Sequence, residues 1–279
     1  MHFEVKKALY FPFNDEKSFP KLAFGYCVYA LSFIINLIVC FSVLMYLYAF
    51  ISPKISFSFN MPLIIIAIGT ALLTIIILSS IIKGYFLQSA NNEINNEGTL
   101  LPEWRFNISK YCNYGIKALI ITSIYNLAFI SIILAFTVLF VAILYGFVHT
   151  NNPLFTPLFI LLFYFIIFIS LILMIPFIAL KNTALIIFAE RFKFCDAFRF
   201  NNFKILLTKS FLSILLISFL VISGEVLINS ILSSLCIGYF LLPLSVIYIG
   251  LVNFNLIAQI YKNYKAGLLM ENENNEIEY

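Results

Sequence analysis

Hydrophobic residues along this chain fall into six long runs, 22–50, 61–82, 117–147, 158–180, 210–227 and 235–258, separated by polar or turn-forming stretches. Each is close to or above the roughly 20 residues that a helix needs to cross a hydrocarbon core of about 30 Å. The ten-residue segments of alternating polarity that build a transmembrane barrel do not occur. The pattern therefore predicts an all-α, polytopic membrane protein with six transmembrane helices arranged as three hairpins. The run 117–147 is too long for an upright crossing, so it must tilt, kink or begin along the interface. Pro176, near the end of the fourth run, removes a backbone donor and predicts a kink there. Short turns are expected around Pro53 and Lys54, over 149–157, and around 224–234, where the boundary is the least marked.

Two polar intervals, 83–116 and 181–209, interrupt this pattern. In the first, Leu87, Ala90 or Asn91, and Ile94 recur at helical spacing, so residues 84–96 read as a weakly amphipathic stem that continues the preceding helix. Gly98 suits the left-handed position that ends a helix. Pro102 disfavours helix for Leu101, and the Trp104 ring favours the headgroup layer, which predicts a Pro-Trp return that touches the membrane again. The second interval mixes aromatic and basic residues as an interfacial helix does. Residues 1–21 have the same mixture, Lys6, Lys7, Lys17 and Lys21 among Tyr10, Phe11, Phe13 and Phe19, and are expected at the membrane surface. The acidic, Asn-rich segment 263–279 reads as a disordered tail.

Composition places the chain in the same class. It is 62% hydrophobic and 11% charged, with a mean hydropathy of +1.02, against roughly 45–50% and roughly 25% in soluble domains. No cleavable signal peptide is expected, because the first apolar run is too long and no small-residue cleavage site follows it. Net charge is only +4, yet its distribution is informative. Of the Lys and Arg residues, only Lys54 falls in a turn of the opposite face; the rest lie before the first span, in the two polar intervals or after the last span. The positive-inside rule then makes that face cytoplasmic and puts both termini inside. Similar exits at Lys83-Gly84-Tyr85, Glu190-Arg191-Phe192 and Gln259-Ile260-Tyr261-Lys262 fit a threefold hairpin repeat, and equally fit shared interfacial chemistry.

Catalytic and metal-binding patterns are missing from the sequence. The five cysteines, Cys27, Cys40, Cys112, Cys195 and Cys236, show no metal or disulfide spacing. His2 and His149 fall on opposite faces, and no HExxH, Walker or Ser/His/Asp arrangement occurs. No catalytic, cofactor or metal site is therefore expected. Candidate intramembrane polar residues are Asn36, Asn126, Glu225, Asn253 and Asn255. Together they could line a polar path; more often such amides fix packing through interhelical hydrogen bonds of about 0.6–2 kcal/mol. Glu225 could bind a cation or relay a proton with Asn229 nearby, but a lone charge at mid-membrane costs about 3 kcal/mol. A position capping the outer turn is favoured for it.

Several residues together resemble the uncharacterised membrane family called domain of unknown function 4013. They are Phe11-Pro12-Phe13 with Asp15, Gly84-Tyr85 followed by a polar run, and Leu101-Pro102-Glu103-Trp104. The likeness continues through Gly115, Pro176, Ala189-Glu190, Asp196 to Phe200 with Arg199 among them, and Gln259 with Tyr261. Relatives usually carry several arginines between the positions of Gly84 and Gly98, which this chain lacks. The resemblance implies a prokaryotic plasma-membrane protein and supports the architecture, without an activity.

The expected function is a non-catalytic scaffold or accessory subunit. Gly84, Tyr85, Pro102, Glu103, Trp104, Glu190, Asp196, Arg199 and Tyr261 would present an aromatic and basic cytoplasmic face to membrane lipids or to a membrane or cytoplasmic protein partner. Nucleic acid is not an expected partner. The alternative is a small-solute or ion transporter or channel that uses the intramembrane Asn and Glu residues.

Overall fold

A computed structural model describes residues 4–51, 61–95, 101–104, 107–148, 155–199, 208–235 and 238–277. Among the described residues seven α-helices follow one another: α1 (Val5–Tyr10), α2 (Ser18–Ile51), α3 (Met61–Ile94), α4 (Ile108–Val148), α5 (Phe155–Arg191), α6 (Lys209–Ser234) and α7 (Gly238–Ile277). Short 3₁₀ turns occupy Phe11–Phe13 and Phe194–Phe198. Among the described residues there is no strand, and six helices, α2 to α7, are long and apolar enough to cross a membrane. Pro20, Pro62 and Pro157 stand in the first turns of α2, α3 and α5, where no intrahelical donor is lost.

The helices outrun the apolar runs at one end. α3 carries the stem predicted for residues 84–96 as far as Ile94, and α5 continues past Leu180 to Arg191. The polar intervals are therefore largely helix, and they form the core. Buried residues fall mainly at the start of α2, the end of α3, the start of α4, the end of α5, the start of α6 and the second half of α7. Among the largest fully buried side chains are Tyr85, Tyr111, Phe11, Phe188, Leu87 and Leu101. By contrast, Ile34, Leu37, Ile38 and Phe41 on α2 and Leu127, Leu134 and Leu139 on α4 are exposed. That division suits a bilayer, in which lipid tails are as apolar as leucine and hydrophobicity alone does not pull helices together.

Several expectations are corrected. Residues 182–189 are buried on every side, so this part of the second interval is a core helix and not an interfacial one; Ala184 and Ala189 are small enough to let neighbouring helices close around it. α6 continues to Ser234, so residues 224–234 are helix. The segment 263–279, expected as a disordered tail, is helical through Ile277, since its Lys, Ala, Leu, Met and Glu are good helix formers. Gly98, the turn residues 52–60 and 149–154, and the second interval's residues 200–207 lie outside the described residues.

Candidate functional site

The residues that carried the family resemblance converge on one end of the bundle. Residues 101–104, which are in no helix, contact the start of α2 through Lys21 and the end of α3 through Tyr85. Lys21 is the hub: its ammonium donates to Asp15 Oδ2 (2.5 Å) and to the Leu101 carbonyl (2.7 Å), and pairs with Glu103 Oε1 (2.9 Å). Asp15 also accepts the Lys17 amide proton at 2.9 Å. Burial opposes ionisation of Asp15, but the Lys21 ammonium and the Lys17 amide outweigh it and hold its carboxyl below the usual range.

Trp104 closes this cluster. Its indole N–H donates to the Lys21 carbonyl (2.8 Å), and its ring stacks on Tyr85 with centroids 4.0 Å apart and 7° between planes. Tyr111 meets both rings edge-on and donates its hydroxyl to the Glu103 carbonyl (2.6 Å). The side of Gly25 packs against Trp104, and Gly84 lets α3 approach the Tyr111 backbone of α4. Trp104 is only 7% exposed. It is therefore a packing residue and not the headgroup anchor that its position after Pro102 predicted, because the Lys21 carbonyl supplies the polar partner that the interface would otherwise provide. Tyr85 and Pro102 are likewise buried, leaving Glu103 as the exposed member of the motif.

A second polar cluster ties the ends of α3, α5 and α7 to α1. Glu93 is buried and pairs with Lys7 (3.0 Å) and Lys262 (3.8 Å), while Lys262 also donates to the Glu93 carbonyl (3.1 Å). Asn91 donates to the Ala189 and Glu190 carbonyls, at 2.7 and 3.0 Å. Those are carbonyls at the end of α5, and a side-chain amide satisfies them. The Glu190 carboxylate in turn accepts from Tyr261 (2.7 Å) and Lys265 (2.5 Å). Gln259 accepts the Glu4 amide proton (3.1 Å) and donates to Asn255 (2.8 Å). Glu190 and Tyr261, expected on a presented face, are thus partners of each other. Arg199 pairs with buried Asp196 at 3.2 Å and is itself exposed.

α5 ends at Arg191, and the next residue, Phe192, adopts φ 55° while its ring stacks on Tyr114 of α4 at 3.7 Å. A non-glycine residue in this left-handed region is strained by about 1–3 kcal/mol, and here the aromatic contact holds it.

The intramembrane polar candidates do not come together. Asn36 and Asn126 are exposed, Asn36 having only a 3.8 Å contact from the Cys40 thiol within its own helix. Asn255 is fully buried on α7 with Gln259, and Asn253 is half-buried. Glu225 lies inside α6, so it does not cap the outer turn; the helix simply runs on for two and a half more turns. It is half-buried. Asn229 accepts from Ser245 (3.2 Å), tying α6 to α7.

Sequence reasoning missed Lys21, Glu93 and Tyr111 as organising residues, and named Asn91 only as an alternative to Ala90 on the stem's apolar face. Glu93 sits beside the predicted inward positions Leu87, Ala90 or Asn91, and Ile94, and that placement is the signal that could have marked it as buried. Lys21 is the last cation before an apolar run, with Asp15 six residues earlier.

Among comparisons with known proteins, a family model described as "Protein of unknown function (DUF4013)" matches residues 68–238. No curated protein and no solved structure matches. The matched region holds Gly84, Tyr85, Leu101 to Trp104, Tyr111 and Gly115, whereas Asp15, Lys21, Gln259 and Tyr261, which pack on it, lie outside.

Proposed function

The chain belongs to this family of proteins of unknown function, and from that premise we propose that it is a non-catalytic scaffold or accessory subunit of a prokaryotic plasma membrane. Its three hairpins enter from the cytoplasm, and both termini lie inside. What carries the reading is the use made of the motif residues: Trp104, Tyr85, Glu103, Glu190 and Tyr261 make ion pairs, hydrogen bonds and ring stacks that lock helix ends together. An end whose motif residues are engaged with one another in this way suits a platform better than a reaction centre, whose groups must stay free to move protons or bind substrate.

The partner-facing part is then the exposed shell of that platform. Lys6, Lys17, Lys110, Arg191, Lys193 and Arg199 are exposed on it, against the exposed acids Glu4, Glu16 and Glu103. This basic face contacts anionic headgroups or an acidic surface of a membrane or cytoplasmic protein. The transport alternative has less to rest on, since Asn36 and Asn126 face outward and away from Asn255.

Purification from the native membrane in mild detergent, with mass spectrometry of co-purifying proteins, tests the proposal. A stoichiometric partner that is lost when Arg191, Lys193 and Arg199 are all changed to Glu supports it. Solute flux by the purified protein in liposomes, abolished by Glu225→Gln, would replace it with transport.

A further inference from the structure

We propose that Lys83 and Lys181 form the headgroup end of a lipid site between α3, α4 and α5, which binds the phosphate of an anionic phospholipid. The two lysines stand at matching positions. Asn91 of α3 donates to the Ala189 carbonyl of α5, and Lys83 and Lys181 each precede those residues by eight positions (91 − 83 and 189 − 181). Helices running in the same direction in that register carry both side chains to the same level, where Lys181 is near enough for its charge to act on Lys83.

Neither lysine has a carboxylate partner among the described residues, in contrast to Lys7, Lys21, Lys262 and Lys265, which are all paired. Lys83 instead donates to the Thr122 hydroxyl at 3.5 Å. Two half-buried like charges at the same level repel, and an anion that reaches both turns that repulsion into charge-assisted hydrogen bonds.

The surroundings fit a lipid better than a free ion. Lys83 and Lys181 each directly follow an apolar run, 61–82 and 158–180, which is where a phosphate plane meets a membrane helix. Lys181 lines a cavity of about 200 Å³ with Tyr125, Asn126, Phe129, Met174 and Phe177. Thr122, Tyr125, Asn126 and Phe129 follow at helical spacing on α4, so one face of that helix passes from polar near the lysines to aromatic away from them. Asn126 and Met174 are exposed, which opens the cavity sideways toward the lipid. A phosphate at the lysines would place the first part of its acyl chain against Phe129 and Phe177, whose rings lie 5.2 Å apart. This site is separate from the exposed basic shell and stands or falls independently of the scaffold reading.

The test uses the full chain in detergent, stripped of lipid and titrated with phosphatidylglycerol or phosphatidylcholine while bound lipid is counted by native mass spectrometry. The wild-type protein should take its first phosphatidylglycerol at least about tenfold more tightly than phosphatidylcholine, as two lysines near the headgroup predict. Lys83→Gln with Lys181→Gln should abolish that preference, and the double Arg variant should keep it. In the absence of lipid the double Gln variant should unfold at the same temperature as the wild type or higher, because a repelling pair has been removed. An unchanged preference in the double Gln variant would overturn the site. Displacement of the first phosphatidylglycerol by millimolar inorganic phosphate would overturn the lipid as its occupant.

Discussion

Gly84 and Gly115 close the crossing of α3 and α4 from opposite sides. A β-carbon on Gly84 would stand 1.9 Å from the Tyr111 carbonyl oxygen, and one on Gly115 would stand 1.7 Å from that of Ser80. The obstacle in both cases is the backbone of a packed helix, which cannot swing aside as a side chain can. Gly84→Ala or Gly115→Ala should therefore force the helices apart and destabilise the protein by about 3 kcal/mol, the upper end of ordinary overpacking. Gly69 on the same α3 has nothing within 4 Å of such a β-carbon. Gly69→Ala should be neutral or stabilising by up to about 1 kcal/mol through helix propensity. Thermal unfolding of the three variants in one detergent makes the comparison.

Trp104 is the single tryptophan, so its fluorescence reports one place. Packed between Tyr85, Tyr111 and Phe24 and 7% exposed, it should emit as a buried indole and resist quenching both by acrylamide and by lipids labelled at the headgroup. A headgroup anchor would be quenched strongly by those lipids. Trp104→Phe should keep the stack and lose one hydrogen bond, about 1 kcal/mol, whereas Trp104→Ala should cost about 3–5 kcal/mol.

Six membrane-length helices and the stem at residues 84–96 could be read from the sequence because length, hydropathy and helical spacing are local properties. The position of the core could not. Composition marks 83–94 and 181–191 as the polar parts of the chain, and polarity normally means water. Here Glu93, Asn91, Lys21 and Asp15 are buried because each finds partners 6 to 169 residues away, as in Lys21 with Asp15 or Glu93 with Lys262. Which residues pair is a tertiary fact, even where the placement of Asn91, Glu93 and Lys21 hints at burial. Trp104 shows the same limit: Pro102 and an indole near a membrane end suggest an interface, and only the Lys21 carbonyl and the Tyr85 ring reveal an interior.

The carboxyl of Asp15 is held below its ordinary value of 3.8 in the folded protein. A depressed carboxylate contributes stability that is fully present above 3.8 and is lost as pH falls through the folded value. Stability should thus be insensitive to this group from neutral pH down to about 4 and decline below that. Asp15→Asn should remove that part of the acid decline while lowering stability at pH 7, where Lys21 loses its counter-charge. Unfolding midpoints of both proteins across pH 2.5 to about 7 give the two curves, and parallel curves would show that Asp15 does not set the acid limb.

Glu93 is 4% exposed and faces two cations, Lys7 from α1 and Lys262 from α7. Removing either lysine leaves the other, so Lys7→Ala or Lys262→Ala alone should cost no more than about 1 kcal/mol, in line with partly exposed pairs. Removing both leaves a carboxylate buried with no counter-charge, at about 3–5 kcal/mol. The double variant should accordingly exceed the sum of the singles, a coupling that packing losses at two separate helices would not produce. Adding Glu93→Gln to the double variant should restore most of the loss, because the uncompensated charge is then gone. A double-mutant cycle measured by thermal unfolding, with and without Glu93→Gln, distinguishes a shared electrostatic partner from two independent helix contacts.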